Sequence, residues 1–151
     1  PYVNQERVAK IGARQADLDE LMKKSDFVTI HCPVSSKTAG LIGTKEFDLM
    51  KPTTYLINTA GWEIVDEKAL LYALEQRRIA GAAFDVYETH PVSPQSPFLQ
   101  LDNVILTPHI GGATDGTVKR YSQTMVEDIE TFIDGKRPTN LVNLEAWKEN
   151  A

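Results

Sequence analysis

The chain has 151 residues, 42% of them apolar and 25% charged, and carries a net charge of −5. That length and composition fit one globular domain with a real core and exclude a disordered or low-complexity chain. The acidic balance, the lack of any Lys/Arg cluster and the absence of an apolar run of roughly 18 residues argue against nucleic-acid and membrane partners.

Apolar periodicity alternates between strand-like and helix-like stretches along the chain. The run Asp26 to Cys32, closed by Pro33, reads as a buried strand. Thr44 to Met50 reads as a short helix capped by Thr44 and stopped before Pro52. Thr53 to Asn58 is a second strand. Asp66 then offers an N-cap to a helix with Ala69, Leu70, Ala73 and Leu74 on one face, ending at Arg77 and Arg78. That face fits ordinary core and equally a subunit contact. Ile79 to Val86 is a third strand, whose Gly81-Ala82-Ala83 lets another element approach closely. The segment from Glu88 to Leu101 carries Pro91, Pro94 and Pro97 and reads as a loop. Asn103 to Leu106 is a fourth strand. From about Thr114, Val118, Tyr121, Met125, Ile129 and Phe132 recur at helical spacing, and Gly135 supplies the stop. Such alternation predicts an α/β fold with right-handed crossovers and a parallel sheet covered on both faces.

In open parallel sheets, ligands bind beyond the carboxyl ends of the strands. Four ends are visible: His31-Cys32-Pro33, Asn58-Thr59-Ala60-Gly61, Asp85 and Thr107-Pro108-His109. Turn chemistry alone accounts for polar and small residues at any one of them; all four together favour a site. His109, followed by Ile110-Gly111-Gly112-Ala113-Thr114, is the most suggestive. Glycines admit a ligand close to the backbone, helix-entry N–H groups favour an anion, and an imidazole exchanges protons near neutral pH. The competing reading is a histidine that merely caps a strand before a glycine hinge. His31, at a strand end, and His90, in the proline-containing loop, have weaker cases. Three histidines and the single Cys32 show no metal-ligand spacing, so no metal is expected. One cysteine allows no internal disulfide, which fits a cytoplasmic protein.

The stretches "SDFVTIHCPVSSKTAGLIG", "LMKPTTYLINTAGWEIVDEKALLYAL", "RIAGAAFDVYETHPV" and "LDNVILTPHIGGAT" resemble the D-isomer-specific 2-hydroxyacid dehydrogenases, in family order and at family spacing. The resemblance implies a Rossmann-like parallel sheet flanked by helices, without the first β-α-β unit of the dinucleotide-binding domain. Residues 1–151 would then be part of an NAD-binding domain with a C-terminal helix and tail. The glycine-rich turn and the substrate domain would lie upstream of Pro1. It also implies NAD as cofactor, with NADP an open alternative, a small 2-keto or 2-hydroxy acid as substrate, and a homo-oligomer. By the same resemblance Cys32, Thr59, Ala60, Gly61, Asp85, His109, Gly111 and Gly112 line the cofactor, and His109 is the catalytic histidine.

Three departures accompany the match. Gly61 stands where the family has the Arg that clamps the substrate carboxylate, and Trp62 stands at the Gly that follows it. His90 stands where most members have the Glu that hydrogen-bonds the catalytic histidine, and a second imidazole brings no negative charge. Glu63 and Glu88 lie nearby in sequence but cannot replace an Arg. The third departure is the upstream part that is not in the chain, so the isolated chain is expected to be a poor catalyst and to leave strand edges and apolar faces open. The alternative is a non-catalytic dinucleotide-fold module that senses NADH or binds a partner.

Overall fold

The computed structural model describes residues 5–147. They gather into two compact units, residues 5–109 and residues 110–147.

The first unit opens with a short helix, α1 (Gln5–Lys10), and a second, α2 (Leu18–Lys24). The α2 N-cap is Asp17, whose carboxylate accepts the Glu20 backbone N–H at 2.7 Å. Helix α3 spans Thr44–Leu49, and α4 spans Glu67–Glu75. Asp66 caps α4 as expected, accepting from the Ala69 N–H at 2.8 Å. The cap of α3 differs from the sequence expectation. It is Gly43, not Thr44, and the Glu46 carboxylate reaches back to its N–H at 3.0 Å. A carboxylate one turn inside the helix satisfies an orphan donor that the Thr44 hydroxyl, itself helical, does not reach.

Four parallel strands alternate with these helices: β1 (Phe27–Ile30), β2 (Tyr55–Asn58), β3 (Gly81–Phe84) and β4 (Val104–Leu106). They pair in the order β1-β2-β3-β4, with Phe27 opposite Tyr55, Tyr55 opposite Gly81, and Ala83 opposite Ile105. Each strand is shorter than its apolar run. The flanking residues still pack, as Ile79 is fully buried, but they lie outside the ladder. All four carboxyl ends share one edge because every pair is parallel.

The core lies on one face of this sheet. Val28, Ile30, Leu56 and Phe84 are buried there against Met22 of α2, Phe47 of α3 and Leu70, Ala73 and Leu74 of α4. The α4 face is therefore core. The opposite face differs from the expectation of a sheet covered on both sides, since Phe27 is 67% exposed, Tyr55 46% and Ile105 67%. Phe27 and Tyr55 stack on each other there, ring centroids 5.7 Å apart.

In the second unit, helix α5 (Asp115–Ile133) starts at Thr114, whose hydroxyl accepts the Thr117 N–H at 3.2 Å. It stops before Gly135, which adopts φ +71°. The stripe of Val118, Tyr121, Met125, Ile129 and Phe132 lies exposed, and no α5 residue is buried. Asp128 ties the following segment back, accepting from the Thr139 N–H at 3.0 Å and the Asn140 carboxamide at 2.9 Å.

Candidate functional site

The strand end after β2 is built by one buried side chain. Asn58 is fully buried; its Oδ1 accepts the N–H groups of Ala60 (3.1 Å) and Gly61 (3.3 Å), and its Nδ2 donates to the Gly61 carbonyl at 2.9 Å. These three bonds fix the path of Thr59-Ala60-Gly61 at the sheet edge, where Thr59 is exposed and Ala60 half-buried. Gly61 is extended, at φ −172°, a conformation open to any residue. Its limit is space: a Cβ there would lie 2.2 Å from Val34 Cγ2. Val34 thus occupies the room that a larger residue at 61 would need.

Trp62 turns the other way. It is buried among Phe84 (5.6 Å between centroids), Phe98 (5.6 Å) and Tyr87 (6.4 Å), the first two contacts edge-to-face. It is a core residue, and its role is packing. Glu63 and Glu88 are exposed; Glu88 lies at the rim of the hollow beside this aromatic group.

Asp85 follows β3 and is 7% exposed. The Thr107 hydroxyl donates to its Oδ1 at 2.6 Å, which joins the ends of β3 and β4. Asp85, Thr107 and Thr59 line one small hollow with Ile57, Ala83 and Ile105. Tyr87 makes a second tie between the same strand ends, its hydroxyl directed at the Thr107 carbonyl (2.7 Å) and the Phe84 carbonyl (3.1 Å). Burial, then the nearby Asp85 charge, push the Tyr87 phenol above its ordinary value, against the bond to Thr107.

His109 ends this edge with φ +55°, a left-handed conformation uncommon outside glycine and concentrated at functional sites. Its N–H donates to the Thr107 carbonyl at 2.9 Å. Its ring meets His90, Nδ1 to Nε2 at 3.4 Å and centroids 4.8 Å apart. The pair lines an exposed pocket with Tyr87, Pro91, Val92 and Pro108. The contact uses His109 Nδ1, and the tautomer sets which of the two nitrogens donates.

The structure therefore brings together Thr59 with Asp85, and His90 with His109. Cys32 is half-buried with a free thiol after β1, and the ring of His31 pairs with the Thr29 hydroxyl at 2.9 Å. Gly111 and Gly112 belong to the second unit, in the turn before α5. Sequence reasoning missed the holding roles of Asn58, Tyr87 and Val34. A polar residue ending an apolar strand was the available signal for Asn58; Val34 and Tyr87 gave none.

A parallel sheet with small, latched and acidic residues along its carboxyl edge is the architecture of a Rossmann-type dehydrogenase domain. Comparison with known proteins narrows the class. The family model for the D-isomer specific 2-hydroxyacid dehydrogenase NAD-binding domain matches residues 1–111, and the chain belongs to that family. It is 42% identical over 144 residues to D-3-phosphoglycerate dehydrogenase of Archaeoglobus fulgidus, covering 95% of this chain and 27% of that protein. Glyoxylate reductase of Korarchaeum cryptofilum is 40% identical over 139 residues, covering 92% of this chain and 42% of that protein. The solved structure of D-lactate dehydrogenase with NAD+ from Lactobacillus jensenii superposes with a TM-score of 0.85 at 30% identity, over 94% of this chain and 46% of the other. The chain spans less than half the length of each of these proteins.

Proposed function

We propose that this chain supplies the NAD-binding part of an oxidoreductase that interconverts a small 2-hydroxy acid and its 2-keto acid. The observation that carries the reading is His109, held by a left-handed backbone at the carboxyl edge with Nδ1 against His90, and the reading assigns Nε2 to the substrate oxygen. In reduction His109 donates a proton from that nitrogen to the keto oxygen, and in oxidation it takes the proton back. NAD supplies and accepts the hydride when bound. The fit to NAD rests on the strand ends. The Asp85 carboxylate, steadied by Thr107, is an acceptor for a carboxamide N–H, and the latched Thr59-Ala60-Gly61 path offers a surface of small side chains. Cys32, half-buried after β1, is a further proposed cofactor contact. The same reading places the protein in the cytoplasm as a homo-oligomer. It gives the isolated 151 residues little turnover of their own.

The second reading is a non-catalytic dinucleotide-fold module, favoured by Gly61, whose surroundings hold Val34 in the space a clamping side chain needs. The test takes the full-length protein with NADH and glyoxylate, pyruvate or hydroxypyruvate. We expect consumption of NADH, reduced by about 10²- to 10⁴-fold in His109→Gln. NADH binding without consumption of any of the three acids would establish the module instead. Turnover that survives His109→Gln would remove His109 from the chemistry.

A further inference from the structure

We propose that His90 is a proton relay for His109, trading a proton with His109 Nδ1 on one side and with water on the other. The proposal deepens the oxidoreductase reading and rests on its assignment of His109 Nε2 to the substrate oxygen. His109 Nδ1 and His90 Nε2 lie 3.4 Å apart, within hydrogen-bond reach. In a neutral imidazole one nitrogen donates and the other accepts, so this contact ties the two tautomers together. When His90 Nε2 donates, His109 holds its proton on Nε2 and is ready to give it. When His109 Nδ1 donates, Nε2 is bare and ready to take one. A carboxylate at position 90 only accepts, and would keep a neutral His109 in the second state alone.

The surroundings suit the exchange. Both rings are exposed, and the contact with His109 is the one hydrogen bond of the His90 ring among the described residues, which leaves its Nδ1 to water. His109 is set by its left-handed backbone and by the bond from its N–H to the Thr107 carbonyl. Tyr87 is the other titratable side chain lining their pocket, its ring edge-on to His90 with centroids 5.7 Å apart. Its hydroxyl is committed to the Thr107 and Phe84 carbonyls, and burial holds the phenol neutral, so it does not compete for the proton. Asp85 is engaged by the Thr107 hydroxyl, and Glu88 lines the neighbouring hollow beside Trp62.

The protons balance over one reduction. A solvent proton binds His90 Nδ1, the His90 Nε2 proton passes to His109 Nδ1, and the His109 Nε2 proton goes to the keto oxygen. Both rings end neutral with their protons on Nδ1. After product leaves, His109 Nε2 takes a proton from water and His90 Nδ1 returns one, which resets the pair. Oxidation runs the same transfers backwards. His90 touches no substrate; it acts through His109.

The test uses the full-length protein. By ring-nitrogen NMR of isotope-labelled protein in alkaline buffer, we expect both neutral tautomers of His109 in wild type and the Nδ1–H form alone in His90→Glu. The same His109 tautomer balance in both proteins overturns the proposal without any turnover. With whichever of glyoxylate, pyruvate or hydroxypyruvate is consumed, kcat should fall about tenfold or more in His90→Gly while KM holds. Added imidazole should restore part of the loss, which it does not do for a residue that only packs. Unchanged kcat in His90→Gly, or a loss that imidazole leaves in place, overturns the relay alone. Wild-type protein that consumes none of the three acids overturns the oxidoreductase reading and the relay with it.

Discussion

The two faces of the sheet carry similar residues and have unlike surroundings. Val28, Leu56 and Phe84 on one face are buried under α2, α3 and α4, while Phe27, Tyr55 and Ile105 on the other stand exposed. Alternate residues of a strand point to opposite faces, so β1 and β2 contribute apolar groups to both. A strand sequence that is apolar throughout thus states what each face will accept, and only the neighbouring elements decide which face is filled. Energetically the faces should differ by several kcal/mol per large side chain, because burial rather than hydrophobicity sets the cost of truncation.

The largest expected effect lies on the filled face. Trp62→Ala should destabilise the 151-residue chain by about 3–5 kcal/mol, since the indole contacts Phe84, Phe98 and Tyr87. Ile105→Ala should stay within about 0.5 kcal/mol in the same urea unfolding series. Losses of equal size would show that the open face is covered in solution, by a second copy or another chain.

A smaller effect is expected at Gly61. Gly61→Arg should cost about 1–3 kcal/mol through overpacking against Val34, and the double variant with Val34→Ala should recover most of it. Additive losses in a double-mutant cycle would rule out that collision. The smallest effect belongs to neither face. Glu20 accepts bonds from Arg14 (2.9 Å, both oxygens) and Lys24 (2.7 Å), which hold its carboxyl down at about 2. Its folded value lies below the unfolded one, so its contribution is complete above about pH 4.5 and is lost as pH falls towards 2. Glu20→Gln should flatten this limb of the stability curve slightly, and less so in high salt because the partners are exposed. An unchanged acid limb would mean that the pair persists in the unfolded chain.

The strands and the two longest helices were legible because β-branched runs and a repeating apolar face survive in a single sequence. Helix α2 was not. Leu18–Lys24 is too short to show a period, and its signals were the Asp17 cap, the acidic first turn and the lysines of the last. At the site, the four strand ends were legible from composition. The packing role of Trp62 was not, since Phe84 and Phe98 reach it only through the tertiary fold. The open face was equally illegible, because an apolar strand looks the same whether both of its faces are covered or one.

The Asn58 latch bears on how such a loop changes over generations. Because one carboxamide sets the backbone path of residues 59–61 from below, the side chains above it are free to drift without the loop losing its course. At residue 61 such drift also needs room from Val34, so glycine gives way to a large side chain only with a second change at 34.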